Sequence, residues 1–346
     1  MRILELNFEK SWRGGERQTL YNMQGFRNAG ISTDLICRKN SALEAKAREE
    51  GFIVYGFSSV VGVLLFLLFK AKKYHCIHAQ TSHILTYCVF TKWFHRKKII
   101  FTRRVNFAPK GFFTKLKYNS TDILVAISNE VKNTVAHFCG RNDVQVISDI
   151  VVQQNSNIAA ANKLLEEFSL HKKNIIGTAS AFTSEKDPFT MLEAIKKLYQ
   201  QRQDFVFLHF GDGPMMAEIQ QKIKEENLQD VYRLMGFSSS VLDILPFFTI
   251  FVLTSVQEGL GSSVLDAFIN EVPVVSTNAG GLKELLQDGR GIACDSGNSN
   301  CIAAGIQTFL NNEEQKQRAV RVALEYVQQY HSMDYITQQY ISLLKK

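Results

Sequence analysis

The 346-residue chain has no cysteine pair in C-x-x-C spacing, no G-x-G-x-x-G after its first apolar run, and no apolar run long enough to cross a bilayer. Each absence removes a class of protein. Six scattered cysteines (Cys37, Cys76, Cys88, Cys139, Cys294 and Cys301) are expected to be reduced, mostly buried thiols rather than disulfides or a zinc site. Without the glycine fingerprint, a dinucleotide oxidoreductase is the weakest reading. The most apolar segment, residues 60–69, is about half the length a spanning helix needs. It reads as a buried crossover helix before a strand, with an interfacial element flanked by Lys70, Lys72 and Lys73 as the alternative.

Acid is also missing over a long stretch. Between Glu50 and Asp122 there is no Asp or Glu, while twelve Lys and Arg fall there. The net charge of +7 therefore divides unevenly: residues 1–150 carry 23 Lys and Arg against 11 Asp and Glu, or +12, which leaves −5 for residues 151–346. A basic half of this kind suits an anionic membrane surface or an anionic acceptor, each near-surface cation being worth about 1 kcal/mol on a charged leaflet. No nucleic-acid recognition motif accompanies the charge, so nucleic acid is not expected as a partner. Residues 1–6 enter a strand pattern directly, with Glu5 inside the apolar run. From that pattern no signal peptide is expected, and the expected location is cytoplasmic, with a peripheral position on the inner face of the cytoplasmic membrane as the variant of that expectation.

What is present is alternation. Strand patterns at 3–7, 33–37, 53–55, 76–79, 98–101 and 123–126, with a helix at about 15–29, give a first series. Residues 151–173 are polar and helix-prone and read as a linker. A second series follows, with strands at 174–179, 205–210, 231–235, 250–253, 274–276 and 291–293 and helices at 188–202, 215–226, 300–311 and 313–330. The expected fold is α/β, two Rossmann-like doubly wound domains facing a central cleft. Their expected bounds are 1–165 and 170–325, with 326–346 a C-terminal helix crossing back to the first domain.

The segment from Glu258 to Ala267, EGLGSSVLDA, lies between a strand and a helix and sets carboxylates Glu258 and Asp266 on either side of a glycine- and serine-rich turn. Gly259 and Gly261 let backbone approach a ligand, and the helix start at Ser262 and Ser263 suits a phosphate. The carboxylates are better placed to accept hydrogen bonds from sugar hydroxyls. A second glycine turn, Gly280-Gly281, follows the next strand.

These residues, with Pro273-Val274-Val275, resemble the donor-site signature of the retaining GT-B glycosyltransferases of glycosyltransferase family 4. The resemblance extends to Arg13-Gly14-Gly15-Glu16-Arg17, Ala126 to Val131, Ile176 to Asp187 and Phe210 to Pro214, in order over about 270 residues. It implies a transferase that moves a sugar from a nucleotide diphosphate sugar to a glycan or lipid-linked acceptor, in lipopolysaccharide or other cell-surface polysaccharide synthesis. No cofactor or metal is implied.

Carried onto this chain, the resemblance makes Glu258 the carboxylate near the reacting carbon and Asp266, usually a glutamate, the ligand of the ribose. Lys186 is the candidate cation on the leaving diphosphate; the arginine expected five residues earlier is Ala181. Arg103, standing where many relatives have a histidine, is the third catalytic candidate. Gly14, Gly15, Gly211, Gly236, Gly261, Ser262 and Ser263 join Asp266 as donor-binding candidates. His78, His83 and Arg104 are the acceptor-binding candidates. His75 and His78 fall on opposite faces of a strand, which argues against a shared metal. Two other readings stay open: a nucleotide-sugar-binding but inactive partner subunit, and a nucleotide-sugar 2-epimerase of the same fold.

Overall fold

The computed structural model of the protein describes residues 1–153, 159, 166, 174–238 and 241–345. The linker reading for residues 151–173 lies outside the described residues from 154 onward, apart from 159 and 166. Two compact units emerge: Met1–Ile150 with His331–Lys346, and Val151–Tyr330.

In the first unit seven strands, β1 (Arg2–Asn7), β2 (Ser32–Arg38), β3 (Ile53–Phe57), β4 (Cys76–Ala79), β5 (Lys98–Arg103), β6 (Ile123–Ala126) and β7 (Gln145–Val146), form one sheet in the order β3-β2-β1-β4-β5-β6-β7. The second has six among the described residues, β8 (Asn174–Ala179), β9 (Phe205–Phe210), β10 (Tyr232–Gly236), β11 (Ile250–Leu253), β12 (Val274–Thr277) and β13 (Ile292–Cys294), in the order β10-β9-β8-β11-β12-β13. Every pairing is parallel. The cause is legible in β11, whose Ile250, Phe251, Val252 and Leu253 are all fully buried: a strand covered by helices on both faces needs apolar residues at every position, not at alternate ones. Strand order reverses between β1 and β4 in one sheet and between β8 and β11 in the other. Such a switch point opens a crevice beyond the carboxyl ends of the strands, where ligands of doubly wound sheets bind.

The helix Met333–Lys345 belongs to the first unit and packs on the helix Gly14–Asn28. Contact is close because Gly25 has no side chain; a Cβ there would stand 2.1 Å from Thr337 Oγ1. A buried line of polar groups ties the same helix to the sheet. Tyr340 OH is bonded to Thr102 Oγ1 at 2.9 Å, Thr102 to His78 Nε2 at 2.8 Å, and His78 Nδ1 to Glu5 Oε1 at 2.9 Å. Tyr340→Phe deletes the last hydroxyl with little change of shape. It is expected to cost about 1–2 kcal/mol, read as a lower urea midpoint; an unchanged midpoint would remove the tether from the account.

Two expectations need correction. Cys294 and Cys301 form a disulfide, with Cα atoms 5.7 Å apart. Cys294 ends β13 and Cys301 lies in the first turn of the helix Ser299–Asn311, so the tight turn between them brings together thiols that no spacing motif announces. The other four cysteines are buried free thiols, and burial pushes Cys37, Cys76 and Cys88 up to about 12. The second correction concerns the apolar segment. It is a helix, Val60–Lys70, and it does bury Val63, Phe66 and Leu67, but Val61, Leu65 and Phe69 point outward. Among the described residues no helix is long and apolar enough to cross a membrane.

Candidate functional site

Strands β8 and β11 are neighbours at the second unit's switch point, and the segments leaving their carboxyl ends meet there. The segment after β8 folds over the end of β9. Ser180 N donates to Phe210 O at 2.9 Å and Phe182 N to Asp212 O at 3.1 Å, while the Phe182 ring stacks on His209 at 3.9 Å between centroids. Gly211 and Gly213 make this possible: a Cβ on Gly211 would lie 1.9 Å from Ser180 O, and one on Gly213 2.5 Å from Phe182 O. Gly236, at the end of β10, accepts from Gly211 N at 2.8 Å. Gly211 is thus placed beneath the Ser180–Phe182 backbone, with that backbone rather than open space over it.

The chain then makes one 3-10 turn, Ser184–Lys186, and enters the helix Pro188–Tyr199. Asp187 is the N-cap residue, with a left-handed φ of 45°, and its carboxylate accepts from Thr190 N at 3.1 Å. The segment leaving β11 clamps this turn. Thr254 Oγ1 donates to Lys186 O at 3.1 Å and to Asp187 O at 2.9 Å, and Val256 N donates to Glu185 O at 2.9 Å. The backbone of Lys186 is therefore held by the end of the neighbouring strand.

Its side chain is held as well. Lys186 Nζ donates to Glu258 Oε2, and Ser255 Oγ donates to the same oxygen at 3.2 Å. With side chains 26% and 16% exposed, the pair is half-buried and keeps part of its surface accessible. Beyond Glu258 the chain turns at Gly261, whose φ of 102° excludes residues with a side chain except at a strain cost, and starts the helix Ser262–Ile269. The second glycine turn braces the first: Gly281 N donates to Glu258 O at 3.2 Å, and a Cβ on Gly281 would lie 2.4 Å from Gly259 O. Ser262, Ser263 and Asp266 are half-buried along the start of that helix. A lysine, a carboxylate and a helix N-terminus so converge on one strand-end crevice, a geometry suited to an anion bearing hydroxyl groups.

The first unit's candidates are placed differently. Gly14 and Gly15 are not a free loop but the first turn of the helix Gly14–Asn28, whose Arg13 N donates to Glu16 Oε2 at 2.9 Å. Burial pushes the Glu16 carboxyl up, opposed by hydrogen bonds from Arg13 and Asn7. His78 is fully buried with both ring nitrogens bonded, as described above, so it does not face an acceptor. His83 lies in the first turn of the helix Ser82–Phe90 rather than in a loop; it is exposed and 3.4 Å from Tyr87 OH. Arg103 is 3% exposed and donates to Tyr118 OH at 2.7 Å and to Phe107 O, which makes it a core arginine. Arg104 is half-buried, donates to Asp149 and bonds Gln80 Oε1 at 3.1 Å. Residue pattern alone overstated the openness of His78 and Arg103, because a strand's carboxyl end can still be roofed by a helix. Thr254, Ser255 and Asp187 were missed; their signal is that two hydroxyl residues directly follow β11 and an Asp directly precedes Pro188. Among the described residues no group of three or more His, Cys, Asp or Glu is placed to hold a metal ion.

The fold is that of GT-B proteins, two doubly wound Rossmann-like units. Residues 161–325 match the family model of glycosyl transferases group 1. The chain is 25% identical over 223 residues to N-acetyl-alpha-D-glucosaminyl L-malate synthase of Bacillus anthracis, covering 64% of this chain and 58% of that protein. It is 25% identical over 312 residues to 2-deoxystreptamine N-acetyl-D-glucosaminyltransferase of Niallia circulans, covering 78% of this chain and 76% of the other. The match to the first of these spans less than two thirds of its length. Among solved structures, Anabaena HepE in complex with UDP and glucose superposes with a TM-score of 0.87 over all of both chains at 18% identity.

Proposed function

We propose that the protein is a glycosyltransferase that moves a sugar from a nucleotide diphosphate sugar to a glycan or lipid-linked acceptor, with retention at the anomeric carbon. One observation carries the reading: Lys186 and Glu258 are paired at the ends of the two strands that flank the switch point, beside the Gly261–Ser262 helix start. The family match over residues 161–325 and the UDP bound to Anabaena HepE support it and make a uridine diphosphate sugar the first donor to try.

In this reading the diphosphate competes with Glu258 for Lys186 Nζ, and the helix N-terminus takes part of its charge. Glu258, released, accepts hydrogen bonds from the donor sugar, and Asp266 accepts from the ribose. The bond from the anomeric carbon to the diphosphate oxygen breaks, the acceptor oxygen bonds that carbon on the same face, and the departing phosphate takes the acceptor proton. Charge is neutralised by Lys186 and the helix, without a metal cofactor. We place the acceptor with the basic first unit, at an anionic membrane surface on the cytoplasmic side, in lipopolysaccharide or other cell-surface polysaccharide synthesis. Support for that setting is the acid-free, cation-rich stretch between Glu50 and Asp122.

A thermal-shift panel of uridine, guanosine, adenosine and cytidine diphosphates tests the donor half. At about 100 times Kd a ligand adds about 2.7 kcal/mol, or several degrees in Tm. One nucleotide should give that shift, and Lys186→Ala should abolish it. No shift with any of them would defeat the donor reading; a shift with no turnover on any sugar conjugate would favour the inactive-partner reading.

A further inference from the structure

The outer helices of the first sheet carry an unusual surface. Parallel crossovers are right-handed, so the helices that lead from β3 to β4, from β4 to β5 and from β5 to β6 all cover one face. The helix Val60–Lys70 is apolar on both sides: Val63, Phe66 and Leu67 face the sheet, and Val61, Leu65 and Phe69, at i, i+4 and i+8, make a continuous exposed stripe. That helix packs against Ser82–Phe90 and against the short helix Lys92–His95. On the latter, Trp93 is 81% exposed and Phe94 is exposed too. A surface helix of a water-soluble unit keeps charge on its outer side; here that side is aliphatic and aromatic.

Trp93 stands between two basic grooves. One, of about 690 Å³, is lined by Lys92, Arg96, Lys97 and Lys98 with Asp122 as its single acid, and that acid is bonded to Lys92 Nζ at 2.7 Å and to Ile99 N at 2.8 Å. The other, of about 540 Å³, is lined by Lys72, Phe94, Arg96 and Lys97 and contains no acid. His95 in its wall adds no charge, because burial pushes its imidazole down.

The geometry points to this helical layer as the surface that docks on an anionic bilayer: the Val61, Leu65 and Phe69 stripe, Trp93 and Phe94 lie at headgroup depth, and the two grooves take lipid phosphates. Three features favour a bilayer over nucleic acid. The stripe is partly aliphatic, which no base or phosphate recognises; the aromatic residue that lines both grooves is a tryptophan, the side chain favoured at membrane interfaces; and cations flank apolar side chains, as in interfacial helices. The inference deepens the membrane-facing part of the proposed function and does not depend on the donor site.

Trp12 and Trp93 are the only tryptophans, so Trp12→Phe in the full chain leaves Trp93 as sole reporter. Vesicles of phosphatidylglycerol should shift its emission to the blue, and brominated lipid should quench it, whereas phosphatidylcholine vesicles should do neither. In sedimentation with phosphatidylglycerol vesicles, Lys72→Gln with Lys97→Gln should lower partitioning by about 30-fold, about fivefold per cation. Trp93→Ala with Phe94→Ala should lower it by about tenfold or more. Unchanged urea midpoints show that the variants still fold; should one fail to, the emission shift of the Trp12→Phe protein decides alone. No emission shift, partitioning that ignores all four substitutions, or tighter binding to single-stranded RNA than to vesicles would each overturn the proposal. No vesicle binding by the unsubstituted protein, with the nucleotide-induced thermal shift intact, would overturn it while leaving the donor reading standing.

Discussion

Lys186→Ala is expected to lower kcat/KM for turnover of the nucleotide sugar by about 10²–10³, the range for removing one donor that stabilises developing charge. Lys186 is a cation that the second unit brings to the crevice, held by its backbone through Thr254 and by its side chain through Glu258. A small side chain there would remove that cation from the departing diphosphate. Glu258→Gln should behave differently: its amide keeps the reach of the carboxylate but no longer neutralises Lys186, so donor affinity should hold or rise while kcat falls. Hydrolysis of the donor to nucleoside diphosphate and free sugar provides the assay where the acceptor is not in hand. Equal losses in KM and kcat for both variants would mean that the pair only holds the fold.

Acidification is expected to loosen the same crevice through a residue that touches no ligand. His209 is buried on β9, with Nδ1 bonded to Tyr232 OH at 2.8 Å, Nε2 bonded to Ser180 Oγ at 3.1 Å and Phe182 stacked on its ring. Burial pushes its imidazole from the ordinary 6.5 down to about 3. The folded histidine therefore stays neutral between those values while the unfolded one takes a proton. Stability is fully present above pH 6.5 and is lost as pH falls towards 3, at about 1.4 kcal/mol per unit, so on the order of 5 kcal/mol across the window. Carboxylates also titrate there, so the measurement is a difference: urea midpoints of the natural protein and of His209→Gln at pH 7 and pH 4.5. The natural protein should lose more than the variant. Parallel lines for the two would show that His209 is charged in the folded state. Because Ser180 and Phe182 open the segment that carries Lys186, donor affinity should fall in the same window.

Much of the architecture was legible in the residues. The strands of both sheets are short runs rich in β-branched and aromatic residues separated by helix-length segments, and this alternation demands a parallel sheet. The glycine turns were readable for a related reason: at Gly261 and Gly281 the backbone comes too close, or turns too far, for a side chain. Long-range relations were harder to see. Nothing local to Cys294 or Cys301 shows that a turn will join them, and nothing in Cys76-Ile77-His78-Ala79 shows that Tyr340, 262 positions later, will cover the histidine. The outward stripe of Val60–Lys70 was hidden by its own hydrophobicity, since an all-apolar segment carries no mark of which side faces water. Charge asymmetry survived better, because an acid-free run stays basic however the chain folds.

The most direct test of the central claim is a crystal structure with uridine diphosphate bound. Diphosphate oxygens should lie within about 3 Å of Lys186 Nζ and of the backbone N–H groups at the start of the Ser262–Ile269 helix, with the Lys186–Glu258 contact opened. A nucleotide seated elsewhere in the second unit, or one that leaves Lys186 on Glu258, would contradict it.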